Sequence, residues 1–205
     1  MPLSDNQVLR YSRQILLADV GGQGQERLLA SGTALTGAGP AQAVAAAYLA
    51  AAGCSVRGPN RAVMAGEQGF LFTCDDLGRS SIDALRASLA EMNPDALAGL
   101  GEGCLGEVPA AFSGPGAWIA LGRGEDRSEV LYRAPTGCAE CFLQNVFALS
   151  SPPTSASALL GALGALVFQR VCLGLSEPIG RLAVEDSGAL FQLTPRRCGQ
   201  CASAQ

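Results

Sequence analysis

Apolar positions fall into two rhythms along this chain. Ile82, Leu85, Leu89 and Met92 recur every three or four residues, which predicts a helix opened by Ser80 or Ser81. Residues 154–173 are apolar almost throughout and predict a helix buried on most sides. An Ala-rich stretch from Pro40 to about Ala52 predicts another, with Pro40 in the first turn, where a missing N–H is harmless. Ser4-x-x-Gln7 is a capping-box pattern that opens a short helix carrying Leu9, Arg10 and Arg13, and a second helix is expected over residues 23–31. Residues 33–36 read as a buried strand. Residues 117–121 and 129–133 read as two strands around the turn at 122–126, and residues 181–185 and 189–194 as a hairpin about Ser187-Gly188. Residues 54–69 give no clear rhythm beyond the turn Gly58-Pro59-Asn60. Residues 99–116 are rich in Gly and Pro and read as loop.

Strand–helix units early and antiparallel strands late predict an α/β fold. At 205 residues the chain suits one domain spanning residues 1–205, with residues 1–31 as an N-terminal helical arm. A composition of 48% hydrophobic and 16% charged residues excludes a disordered chain. The net charge of −4 provides no basic field, so no nucleic-acid partner is expected. The first residues lack the basic and apolar regions of a signal peptide. The longest apolar run, residues 158–168, is too short to span a bilayer, so no membrane association is expected and the chain reads as cytoplasmic. All 14 basic residues are Arg; there is no Lys and no His. That removes Ser-His-Asp and Cys-His catalysis, Schiff-base lysines and the P-loop lysine. Any metal site must come from Cys, Asp and Glu.

Cys138-Ala139-Glu140-Cys141 and Cys198-Gly199-Gln200-Cys201 are two C-x-x-C knuckles 56 residues apart. Each knuckle turns two thiolates toward one centre, and together Cys138, Cys141, Cys198 and Cys201 would complete a closed tetrahedral Zn²⁺ site that staples the tail to the body. A redox dithiol at one pair is the alternative. Cys54, Cys74, Cys104 and Cys172 read as small packing residues. Gly37-x-Gly39, between a predicted strand and helix, begins a G-x-G-x-x-G phosphate-binding fingerprint, which makes Gly37 and Gly39 candidate cofactor-binding residues. Gln42 stands at the third glycine position. Tight strand-to-helix packing would call for the same two glycines.

Arg10-Tyr11-Ser12-Arg13-Gln14-Ile15-Leu16-Leu17, Gly24-Gln25-Glu26-Arg27-Leu28 and the strand leading to Gly37-Ala38-Gly39 together resemble the ThiF/MoeB/HesA group of E1-like (ubiquitin-activating-like) enzymes. Gly69-Phe70-Leu71-Phe72-Thr73-Cys74-Asp75-Asp76-Leu77-Gly78 is similar to the family's R-Q-F-L-F-x-x-x-D-[IV]-G stretch. Asn93-Pro94 resembles the N-P that follows it, and the knuckles fall where the family binds structural zinc. The resemblance implies a Rossmann-like, mainly parallel sheet with a C-terminal antiparallel extension and a structural zinc site of four cysteines. It implies dimerisation, and adenylation of a ubiquitin-like sulfur carrier's C-terminal Gly-Gly by ATP and Mg²⁺.

Most positions the resemblance gives to the ATP site differ here. The glycine loop reads Gly-Ala-Gly-Pro-Ala-Gln, and residues 57–60, where the ribose Asp would lie, hold no carboxylate. Gln68 replaces an Arg, Ser81 replaces a Lys, and the segment carrying the Mg²⁺ Asp reads as deleted. Residues 150–154 lack the cysteine of thiolate-using members. Arg13 matches the family's Arg that acts in trans on the other subunit's ATP. The implied function is therefore an impaired E1-like subunit, with ATP and Mg²⁺ binding in doubt, that pairs with an E1-like homologue or holds a ubiquitin-like sulfur carrier or peptide. The alternative is an active adenylyltransferase with a rearranged site, Asp75, Asp76 or Glu102 holding Mg²⁺ and Arg57, Arg61 or Arg79 the phosphates. A scaffold that uses no nucleotide is a third reading.

Overall fold

A computed structural model describes the chain except residues 1, 37–38, 59–60, 65–70, 98–101, 109–110, 186 and 203–205. Its centre is a seven-stranded sheet in the order β2-β1-β3-β4-β5-β6-β7. Strands β1 (Gly32–Leu35), β2 (Ser55–Arg57), β3 (Gly103–Glu107) and β4 (Trp118–Arg123) pair in parallel. From β4 onward, β5 (Ser128–Arg133), β6 (Ile179–Val184) and β7 (Leu190–Leu193) continue the sheet antiparallel. The sheet is thus mixed, with the expected antiparallel extension adding three strands to four parallel ones.

Side-chain alternation in β4 shows why both faces are covered. Ile119 and Leu121 enter the cluster built with α4 (Pro40–Ala51) and α7 (Thr154–Leu173), while Trp118 and Ala120 enter a second cluster with Phe142 and Val146 of α6 (Ala139–Val146). The helix α5 (Ser81–Met92) buries Leu85 and Leu89 of its expected apolar stripe and leaves Met92 at the surface. The arm consists of α1 (Asp5–Arg10), α2 (Ser12–Ile15) and α3 (Gly21–Ala30), so the helix expected to carry both Arg10 and Arg13 is broken at Tyr11. Its capping box forms as expected: the Gln7 N–H donates to Ser4 Oγ and the Ser4 N–H to Gln7 Oε1.

Two expectations are corrected. Residues 99–116, which read as loop, contain β3. Its sequence Gly-Cys-Leu-Gly-Glu has little intrinsic strand preference, and pairing on both sides imposes the conformation. Gly103 is required there because a Cβ would lie 2.6 Å from the Phe168 ring. The apolar run that reads as too short to cross a bilayer belongs to a helix of 20 residues, long and apolar enough to do so by composition alone. That helix instead buries Leu160, Gly161, Gly164, Ala165, Val167, Phe168 and Val171 against α4 and the sheet.

Candidate functional site

The two ends of α4 have different surroundings. At its C-terminus the last carbonyls of a helix lack intrahelical donors, and here three side-chain amides supply them. Asn93 Nδ2 donates to Ala50 O (2.7 Å), Gln14 Nε2 to Ala51 O (3.3 Å) and Gln25 Nε2 to Ala52 O (2.9 Å). Asn93 also donates to the buried Tyr11 hydroxyl, which donates to Asp95; Arg10 and Gln7 bond the same carboxylate. These contacts bind the arm to α4 and to the turn after α5. Asn93→Ala removes two buried hydrogen bonds, one to the Ala50 carbonyl, which keeps the Gly53 N–H, and one to the Tyr11 hydroxyl. We expect a loss of about 2 kcal/mol, seen as a melting temperature about 4–8 °C lower for a chain of this size.

The N-terminus of α4 follows β1 directly. Gly39 is its N-cap, with φ −72° and ψ 174°, and no side chain caps the first turn. Gly39 is therefore not needed for a left-handed backbone. It is needed for space: a Cβ there would stand 3.0 Å from Gln42 Oε1 and 3.3 and 3.4 Å from the carboxylate oxygens of Glu107. Glu107 ends β3 and reaches across to this turn. Burial pushes its carboxyl above the usual range, and hydrogen bonds from the Ala41 N–H and the Ser157 hydroxyl pull it partly back. The other expected cofactor-binding residue, Gly37, lies outside the described residues.

The knuckles are built alike. Cys138 and Cys198 immediately precede α6 and α8 (Gly199–Ala202), and Cys141 and Cys201 lie within the following turn. All four Sγ atoms lie within 4.8 Å of one another, and Cys138 Sγ is 3.8 Å from Cys198 Sγ. Zn–S bonds of about 2.3 Å in a tetrahedron put sulfurs about 3.8 Å apart, so the donor set fits a closed thiolate-bound ion such as Zn²⁺. A hydrogen bond from the Cys141 N–H draws the Cys138 thiol down to about 7, the range that favours a metal-binding thiolate. The Cys198 N–H donates to Cys141 Sγ (3.2 Å). Asn145 clamps the tail: its Nδ2 donates to Arg196 O (2.9 Å) and its Oδ1 accepts from the Arg196 N–H (3.0 Å). On the other side Arg133 stacks on Trp118 with its guanidinium 4.4 Å from the ring centroid, and bonds the carbonyls of Gly137, Gly116 and Pro135. That fixes the turn that delivers Cys138.

No family model matches the chain. The chain is 36% identical over 102 residues to the sulfur carrier protein ThiS adenylyltransferase of Escherichia coli K12, covering 45% of this chain and 39% of that protein. It is 38% identical over 96 residues to the adenylyltransferase and sulfurtransferase MOCS3 of Drosophila sechellia, covering 45% and 21%. A solved structure of E. coli MccB with the MccA-N7isoASN derivative has a similar fold, with a TM-score of 0.71 at 15% identity over 98% of this chain and 74% of that one. Over about half its length the chain is distantly homologous to the ThiF/MoeB-like E1 adenylyltransferase family. PaaA also shares its fold, with a TM-score of 0.67 at 18% identity over 96% and 76%. The chain spans only about a fifth to two-fifths of the length of these curated relatives.

Set against the E1-like pattern, the residues named from sequence separate clearly. Arg13 is exposed on α2, beside the Gln14 that bonds Ala51 at the C-terminal end of α4. Gly39 lies at the other end of a 12-residue helix, about 18 Å long, so Arg13 does not serve the glycine turn of its own chain. Asp76 is used locally, accepting from the Thr73 N–H and hydroxyl and pairing with Arg79 at 2.6 Å. The Thr73 N–H is the main reason its carboxyl is held low. Asp75 is exposed. Glu102 precedes β3 and lines a cavity with Ser31 and Gly32 at the start of β1. It is therefore at the opposite end of the parallel strands from their C-terminal edge, where ligands of open α/β sheets bind. Ser81 is fully buried at the start of α5. Glu107, the carboxylate at the glycine turn, is not among the candidates from sequence because its strand reads as loop there.

Proposed function

We propose that this chain is a catalytically impaired E1-like subunit of the cytoplasm, held together by structural Zn²⁺ on its four knuckle cysteines. It pairs with an active E1-like adenylating enzyme, or holds a ubiquitin-like sulfur carrier or peptide for it. One observation carries the reading: the scaffold contacts at the C-terminal end of α4 are kept, while the turn at its N-terminal end faces the chain's own Glu107 carboxylate. Adenylation needs positive groups and a metal around the phosphates, and the chain has no Lys anywhere. The exposed Arg13 supports a role across an interface. A carrier or peptide as partner is supported by the relatives, one named for the sulfur carrier ThiS and another solved with a MccA derivative.

The test is the adenylation rate of an active E1-like partner reconstituted with this chain. Arg13→Ala is expected to lower that rate on the order of 10²-fold, the effect of removing one positioned transition-state donor, with the complex intact by gel filtration. An unchanged rate rules out action in trans. ATP–pyrophosphate exchange by the chain alone would instead favour an active enzyme with a rearranged site.

A further inference from the structure

The first N–H groups of a helix attract an anion, because they lack acceptors and carry the positive end of the helix dipole. At the N-terminus of α4 no side chain of the helix itself meets that demand. Glu107 approaches from β3, its carboxylate oxygens within 3.4 Å of where a Gly39 Cβ would be, and Ala41 supplies an N–H. Gln42, only 3% exposed, points its Oε1 at the same spot. Among the described residues, neither Gln42 Oε1 nor Glu107 Oε1 has a hydrogen-bond partner. The self-made arrangement thus supplies the negative charge but leaves two buried acceptors unmatched at this turn.

We propose that this chain occupies the N-terminus of α4, where the resemblance would put nucleotide phosphates, with its own Glu107 carboxylate. This deepens the impaired-subunit reading and rests on it in one respect: nucleotide phosphates are excluded from the turn. The missing side chain of Gly39 then makes room for Glu107 rather than for a phosphate. Two anions do not share one helix N-terminus, so nucleotide enters only when the carboxylate withdraws. Ser157 on α7 helps to hold it, giving the helix that backs α4 a part in keeping the site closed.

The test is calorimetric titration of the metal-loaded full-length protein with Mg²⁺-ATP, inorganic pyrophosphate and adenosine. Glu107→Ala is expected to bind ATP and pyrophosphate at least about tenfold more tightly than the unmodified chain, with adenosine affinity unchanged. Glu107→Gln keeps the shape and removes the charge; it should gain in the same direction and serves where the Ala variant fails to fold. The proposal is overturned if both ligands bind a folded variant no better than the unmodified chain, if adenosine gains equally, or if the unmodified chain already binds ATP at micromolar concentration. The impaired-subunit reading fails on a different measurement, the partner's rate, so the two failures are distinguishable.

Discussion

Stripping the metal from the purified protein with a strong chelator is expected to lower its melting temperature by about 10–20 °C and to release about one Zn²⁺ per chain. Structural zinc contributes about 10–16 kcal/mol in small peptides that are unfolded without it. Here the body keeps its own core, so the ion's share is smaller, about 5 kcal/mol, and each kcal/mol moves the melting temperature by about 2–4 °C at this size. What the ion joins is specific: Cys138 and Cys141 are fixed to the sheet through Arg133 and α6, and Cys198 and Cys201 belong to a tail otherwise clamped by Asn145. Cys141→Ser, at a buried ligand position, should lose both the metal and the stabilisation. Acid should do the same, because bound thiolates must be deprotonated and affinity falls as the pH falls. A chain that carries no metal as purified and melts at one temperature with or without chelator would sink the structural site. An oxidant-dependent loss of two thiols would then favour the redox dithiol.

Legibility from sequence follows how local each cause is. The bounds of α7 are readable because an unbroken apolar run is framed by Pro153 and by Gly174, whose φ of 76° closes the helix in a left-handed cap. The knuckles are readable because C-x-x-C geometry is set within four residues. By contrast, β3 is a strand through its neighbours: two glycines in five residues weaken its own preference, and the pairing with β1 and β4 decides it. Glu107 is hidden for the same reason, since its place at a strand's C-terminal end exists only once the strand does. Tyr11, Gln14, Gln25 and Asn93 are visible as marks of a resemblance, yet not for what they do. Asn93 and Tyr11 are 82 positions apart and meet only because both close one end of α4. The most recognisable stretch of the chain therefore reports scaffold, and the residues that bear on nucleotide chemistry lie where the pattern is least regular.

Gly161→Leu should be the most damaging single substitution in the helical layer, with an expected loss of about 4 kcal/mol and a melting temperature about 8–16 °C lower. A Cβ on Gly161 would lie 2.2 Å from the Ala41 carbonyl oxygen, 3.0 Å from the carbonyl carbon and 3.1 Å from Cα. Those atoms are backbone at the start of α4, so no rotamer change relieves the clash and the two helices must separate. Separation opens gaps beside Ala45, Ala46 and Leu160, which are fully buried. Even Gly161→Ala should destabilise, although Ala favours a helix over Gly by about 1 kcal/mol. Gly22 in α3 provides the opposite sign, since a Cβ there meets nothing within 4 Å. Gly22→Ala should stabilise by about 0.5 kcal/mol, and thermal denaturation of the three variants side by side checks the contrast. Equal effects at the two positions would mean that α4 and α7 are not in backbone contact. Ser157 stands one turn before Gly161 on the same face of α7, so prising the helices apart also draws the Ser157 hydroxyl away from Glu107. The small residues that let these two helices touch are thereby part of what holds a carboxylate at the glycine turn.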